Sequence, residues 1–485
     1  MIKRPCLSVL SAILVLGLAL PAIAQTSNPS PKIAPRVLAE TENGGQTEAL
    51  VVLTEQADLR RAATLPSKEE KGTYVVNTLR EVANRTQPAV LRLLDLRGVA
   101  YQPFFIVNMI KITAGRSVME ELAARNDIAR IDANPYVKAS IPQPTNSPDT
   151  NQTNTVEWNV ARVHAPDVWA LGFRGEGMVV AGNDTGVQWD HPSYKARYRG
   201  WDGQNVNHDY NWHDATSQHS PVPIDPHGHG TFTLSQMVGD DGNGNQVGVA
   251  PGAKWIACRN MDASGTGSPS TYTECFQFLI APYPIGQPDK GDPTKAPISI
   301  NNSWGCPPSE GCSANTLLAI TNAVRAAGIF PAVAAGNSGS SCSTVTDPPS
   351  IYASSVTVGA TTISNAIANF SSRGPVTVDN SNRVKPNLSA PGAGIRGAVP
   401  GNGYQGGWSG TSMATPHVAG GIALVWQAKP NLKGNIDATQ TLISKNANPA
   451  VSQSFNQHCG ITQGNLPNNI FGWGLLDLLK AVQAP

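Results

Sequence analysis

The chain is poor in net charge, in charged residues and in aromatics. Lysine and arginine number 35 against 34 aspartates and glutamates, leaving +1, and charged residues are 14% of the 485 positions. So even a balance gives no electrostatic reason to expect nucleic acid or an anionic membrane as partner. Past the N-terminus no apolar run is long enough for a helical membrane span. Cysteine is scarce, seven in all, and none sits beside a histidine in a recognisable nucleophile motif, so a thiol mechanism is not indicated. Glycine (46) and proline (38) are plentiful and 40% of residues are hydrophobic. That composition supports a large core in a compact, loop-rich protein outside the cytoplasm, with two folded parts expected at this length.

The N-terminus agrees with that compartment. Lys3 and Arg4 precede an apolar run from Leu7 to Leu20, and Ala22-Ile23-Ala24 offers a cleavage site. Residues 1–24 are therefore expected to be a signal peptide and the product to be secreted, extracellular or periplasmic, with no membrane attachment after its removal. Cys6 precedes the apolar run, which argues against a lipid anchor. Six cysteines remain, and an even number in a secreted chain implies disulfides. The sequence does not select a pairing. The short loop Cys306–Cys312 is the first expectation, with Cys258–Cys275 and Cys342–Cys459 for the rest.

Organisation changes twice along the chain. After a polar start, residues of about 48–138 read as a small α+β domain. Ala49 to Leu53 is a strand, Ser67 to Glu70 a capping box before a helix, and Gln87 to Leu96 a second helical stretch. Phe104 to Ile112 is a strand, and Ser117 to Glu120 caps another helix. Residues 141–155 form a polar linker with several prolines. From 156 to 485, strand and helix patterns alternate, predicting an α/β domain with a mainly parallel sheet and helices on both faces. The insertion 194–226 is expected to decorate the surface. Gly401 to Gly406 matches G-x-G-x-x-G but opens no βαβ unit, so it is expected to be a turn.

Four short runs carry chemistry. Gly410-Thr411-Ser412-Met413-Ala414 leads a hydroxyl into the start of a buried apolar helix, where a main-chain N–H has no intrahelical acceptor. Alone, Ser412 would be a helix cap. As a nucleophile it needs a histidine base, a carboxylate to orient that base and a donor for the oxyanion. Asp184 ends the apolar strand Met178 to Asp184 in Asp-Thr-Gly, His229 lies in His227-Gly228-His229-Gly230-Thr231, and Asn337 ends a strand in Ala334-Ala335-Gly336-Asn337. Taken singly these are an Asp turn, a His-x-His metal pair and an Asn turn.

Together, in the order Asp, His, Asn, Ser, they resemble the subtilisin-like serine proteases, over most of residues 156–484. Asp184, His229 and Ser412 match that family's catalytic motifs and Asn337 its oxyanion donor. The runs Gly186 to Pro192, Val249 to Ile256 and Asn301 to Gly305 look most like the bacillopeptidase F branch. The resemblance implies a serine endopeptidase acting on proteins and peptides without a catalytic cofactor. It also implies that residues 25–140 are a propeptide whose ferredoxin-like domain inhibits its own catalytic domain, is cut from it by self-cleavage within the linker and stays bound until degraded, and that the product is a monomer. Ser303, Trp304, Gly305, Ala334, Ala335 and Gly336 are implied as substrate-pocket walls, which Trp304 and the alanines would make apolar and tolerant, and Asp347-Pro348-Pro349 is expected to hold a cis bond in the wall loop. Asp241, Asn243 and Asn245 present oxygens at alternate positions, as a structural calcium loop would, although Ser193 stands where the family has an aspartate. An inactive peptide-binding relative would need a broken triad. An esterase of the α/β-hydrolase class would need a G-x-S-x-G elbow and the order Ser, Asp, His, and Ser412 has neither.

Overall fold

The computed structural model describes residues 30–139, 141, 144, 155–451, 459–460 and 465–485. The expected signal peptide 1–24 and nearly all of the linker 141–155 lie outside the described residues.

A seven-stranded sheet, parallel throughout, organises the larger part. Its order is Leu388–Pro391, Val356–Thr361, Phe330–Ala334, Ser299–Asn302, Val179–Asp184, Lys254–Arg259 and Trp212–Asp214. Parallel strands covered on both faces need apolar or small residues at nearly every position, and these strands are buried almost end to end. Side chains alternate across a strand, and here they divide between two cores. Ala181 and Ile256 join one face with the helices Pro269–Ile280 and Leu318–Ala326, while Val180 and Ala257 join the other with His229–Val238 and Thr411–Ala428. The order reverses around Val179–Asp184, which opens a crevice beyond the C-terminal strand ends.

Residues 194–226 do more than decorate. Tyr194, Tyr198 and Trp212 are fully buried, Tyr198 packs on Trp255 at 4.4 Å between ring centroids, and Trp212–Asp214 supplies the edge strand of the sheet. Asp214 there pairs with Arg259 at 3.1 Å, both buried.

The N-terminal part is a separate antiparallel sheet in the order Tyr101–Phe104, Met109–Gly115, Gln46–Leu53 and Ile128–Ala133. With helices Lys68–Thr86, Pro88–Arg97 and Arg116–Ala123 this is a ferredoxin-like arrangement. Ser67 caps the first helix by accepting from Glu70 N. The run Phe104 to Ile112 is not one strand but two joined by a turn, because Phe105 and Ile106 give their N–H groups to Gln277 Oε1 and the Asn108 amide is buried against Glu55 O and Thr86 Oγ1. The third helix begins at Arg116 without a side-chain cap, so Ser117 is not the capping residue. Leu50, Val52, Phe104, Ile106 and Met109 share one core with the helices Pro269–Ile280 and Leu318–Ala326.

Three disulfides join Cys258–Cys275, Cys306–Cys312 and Cys342–Cys459, the expected pairs. The turn expected over 401–406 is shorter: it links the antiparallel strands Ile395–Val399 and Gly403–Trp408. Pro348–Pro349 is cis, as expected. Among the described residues no helix is long and apolar enough to cross a membrane.

Candidate active site

The sheet brings the candidate residues to its C-terminal edge. Asp184 closes the strand Val179–Asp184, and Ser303 directly follows the neighbouring strand Ser299–Asn302, whose Asn302 pairs with Asn183. Asp184 is buried, and its Oδ1 lies 2.7 Å from His229 Nδ1 and accepts the Thr185 N–H at 2.7 Å. Thr233 Oγ1 donates to the other oxygen at 3.3 Å. A carboxylate facing Nδ1 selects the tautomer that carries its proton there and leaves Nε2 as acceptor. Nε2 is buried and has no hydrogen-bond partner among the described residues.

His229 is held by its helix. Asp225 accepts the N–H groups of Gly228 at 2.8 Å and Thr231 at 2.8 Å, and the Thr185 hydroxyl at 2.9 Å, so a carboxylate sits at the N-terminus where first-turn donors and helix dipole favour it. Gly230 must be glycine: a Cβ would stand 2.1 Å from Gly186 O.

Ser412 is the second residue of the helix Thr411–Ala428, so its N–H is among those without an intrahelical acceptor. Its hydroxyl donates to Ser303 O at 3.1 Å, and Ser303 Oγ donates back to Ser412 O at 3.0 Å. Asn337 Oδ1 accepts both the Thr411 N–H, at 2.9 Å, and the Thr411 hydroxyl, at 3.0 Å. Two donors on one oxygen fix which end of the amide is nitrogen and hold that end in a set direction. Asn337 and Ser412 share the wall of a cavity of about 300 Å³ with Ser303, Trp304, Gly305, Ala334 and Gly336. Ala335 is not among the residues lining it; it is buried in the core and donates its N–H to Val358 O. The Trp304 indole turns inward, donating to Asn183 O at 2.8 Å and stacking on Tyr272. The cavity is less apolar than expected, because Glu310 and Asp347 also line it.

Two other histidines have structural settings. His417, in the nucleophile helix, faces Met413 O with Nδ1 at 2.9 Å and Asn159 Nδ2 with Nε2 at 2.8 Å, and burial pushes its pKa down to about 4. His227 is 6.4 Å from His229 between ring centroids and nearly perpendicular to it. No group of three or more His, Cys, Asp or Glu suited to a metal occurs among the described residues. The loop of Asp241, Asn243 and Asn245 does not fit calcium. Asp241 Oδ2 accepts from Asn245 Nδ2 at 2.6 Å and from the Tyr404 hydroxyl at 3.1 Å, and Asn245 Oδ1 accepts from Arg396 at 2.8 Å, so protein donors take the oxygens an ion would need. Sequence reasoning passed over Asp225 and Thr233, whose signal lay in their spacing from His229.

The sequence model of the subtilase family matches residues 175–474. The chain is 35% identical to bacillopeptidase F of Bacillus subtilis over 457 residues, covering 90% of this chain but 30% of that protein, so it spans under a third of that relative's length. It is 27% identical to subtilisin E of Bacillus subtilis over 390 residues, 79% of this chain and 88% of that one. It is 31% identical to alkaline elastase YaB of a Bacillus species over 282 residues, 57% of this chain and 61% of that one. With the family's domain spanning most of the parallel-sheet part, the chain belongs to the subtilase family of serine endopeptidases.

Proposed function

We propose that the chain is the self-processed precursor of a secreted serine endopeptidase that hydrolyses proteins and peptides as a monomer. The observation that carries this reading is the buried Asp184–His229 pair at the sheet edge that also presents Ser412 and Asn337 to one cavity. In this mechanism the Ser412 hydroxyl turns from Ser303 O to His229 Nε2 by a change of side-chain rotamer and attacks the peptide carbonyl. His229 accepts the hydroxyl proton and passes it to the leaving amine, and Asp184 holds the tautomer and stabilises the imidazolium. The Ser412 N–H and the Asn337 amide stabilise the oxyanion. Water then repeats the sequence on the acyl-enzyme, with His229 again as base. No step uses a cofactor.

The N-terminal part is, in this reading, the inhibitory propeptide. Its strand Val137–Lys138 pairs antiparallel with Thr266–Gly267, Ala139 N donates to Gly265 O at 3.0 Å, and Lys138 and Ala139 line the cavity beside Ser412. A tail laid along the substrate path blocks it, and a cut in 141–155 would leave the part bound as a non-covalent inhibitor. Ser412→Ala should abolish hydrolysis of a casein substrate, prevent fluorophosphonate labelling and leave the full-length precursor on a denaturing gel. Turnover or self-cleavage persisting in that variant at the level of the unaltered protein ends the reading.

A further inference from the structure

The loop between the strands Phe330–Ala334 and Val356–Thr361 carries Thr346 and Asp347 into the wall of the cavity beside Ser412. Asp347 is half-buried. Its Oδ1 accepts the Thr346 hydroxyl at 2.8 Å. Its Oδ2 faces Gly305, where an added Cβ would stand 3.2 Å away, so glycine there leaves the carboxylate its room. The backbone is pinned on both sides: Ser350 N donates to Asp347 O at 2.9 Å and Cys306 N to Pro348 O at 2.8 Å, which ties the loop to the disulfide loop opposite.

Among the described residues Asp347 forms no ion pair. The charged residues lining the cavity are Lys138, Glu310 and Asp347. Lys138 is exposed and belongs to the N-terminal part, and its main-chain N–H donates to Glu310 Oε2 at 3.1 Å. No cationic side chain of the described residues is paired with Asp347. Burial holds the Asp347 carboxyl above its ordinary range, and Glu310 is likewise raised, by burial first and then by the Asp347 charge. A half-buried carboxylate that lines a cavity with a second carboxylate is stabilised by a cation placed beside it.

We propose that Asp347, seconded by Glu310, makes this cavity a pocket for a lysine or arginine side chain on the acyl side of the cut bond. The inference rests on the endopeptidase reading above and adds its substrate class. The N-terminal part supports it: the strand Val137–Lys138 pairs antiparallel with Thr266–Gly267 while Lys138 and Ala139 line the cavity with Ser412, so a substrate laid on the same strand would bring residues on its acyl side to this cavity. An ammonium or guanidinium there replaces water on a half-buried carboxylate with a charge-assisted hydrogen bond. The linker 141–155 contains neither lysine nor arginine, so self-processing draws on tethering and not on this carboxylate.

The test uses the matured protein and four peptide p-nitroanilides identical except for a final Arg, Lys, Leu or Phe, with active sites counted by fluorophosphonate titration. The basic peptides should exceed the leucyl one in kcat/KM by at least roughly tenfold, and Asp347→Asn, which keeps the acceptor for Thr346, should lower that ratio by roughly 10- to 100-fold. The ratio should also fall in acid as Asp347 and Glu310 take up protons; whatever alters the catalytic step common to all four peptides cancels in the ratio. Leu or Phe preferred by the unaltered protein, or a ratio untouched by Asp347→Asn, overturns the assignment while leaving the endopeptidase intact. A protein that neither labels nor cleaves any of the four loses the endopeptidase reading, and this one with it.

Discussion

Asn337 shows how one side chain is committed twice. Its oxygen takes two donors from Thr411, the residue before Ser412, so the amide is aimed by the same helix start that presents the proposed nucleophile. A donor fixed in this way spends no reorganisation when charge develops on the carbonyl oxygen, which is where electrostatic preorganisation acts. Asn337→Ala should lower kcat by about 10² to 10³-fold with KM changed little, since the interaction is made in the transition state and not with bound substrate. Steady-state kinetics on one peptide substrate reads the split, and a rise in KM with kcat preserved would instead make Asn337 a substrate-binding group. The same scale shows what was legible beforehand. Asp184, His229, Asn337 and Ser412 could be named because each lies in a run of small residues with its own turn or helix start. Asp347 was placed in the wall loop for its prolines and not for its carboxylate, because only the fold sets that carboxylate against Gly305 and in one cavity with Glu310, both remote in sequence.

Among elements, the two helices that carry His229 and Ser412 are packed so closely that glycine decides the geometry. Gly420 lies where a Cβ would approach Met237 Cα to 3.0 Å, and Gly230 faces Gly186 O. Gly230→Ala should cost roughly 1–3 kcal/mol through overpacking, because backbone and not a flexible side chain must move. Chemical denaturation measures that loss, and hydrolysis should fall further than stability because the displaced turn carries His229. Loss of neither would mean that the turn at Gly186 yields freely. Strand and helix alternation was readable here from apolar runs, since the interior strands are buried on both faces. The edge strand Trp212–Asp214 was not, because three residues inside a polar insertion give no periodicity, and the parallel pairing with Lys254–Arg259 and the Asp214–Arg259 pair define it. The hairpin at 104–109 was missed for a related reason: its turn is held by Gln277 of a distant helix and not by turn residues of its own.

Across the whole molecule, the proposed inhibitor is held by one shared apolar core and many polar contacts, among them Lys71 to Gly434 O, Arg80 to Gly291 O, Gln102 to Glu274 and Asn134 to Ser270, and one of those contacts is costly. Lys68 opens the helix Lys68–Thr86, is 4% exposed, and donates from Nζ to Ala296 O at 3.0 Å. The charged groups acting on it are Glu69, which favours its charge, and Lys433 and Arg199, which oppose it; burial is the largest effect, and the pKa falls from 10.5 to about 8. Once released, the N-terminal part would expose Lys68 and restore its ordinary value. The released state therefore binds more protons between about pH 8 and pH 10.5, and docking must tighten as pH rises through that window, with the full penalty present below it. With Ser412→Ala catalytic domain and separately prepared residues 25–140, the dissociation constant should fall as pH increases from 8 to 10. Lys68→Met keeps the apolar stem, removes the charge and should bind more tightly than the unaltered part at pH 7, with its dependence over that window flattened. A Lys68→Met complex that is weaker at pH 7 would mean that the Ala296 hydrogen bond outweighs desolvation. The lysine would then be a clasp and not a built-in weakness that eases release near neutral pH.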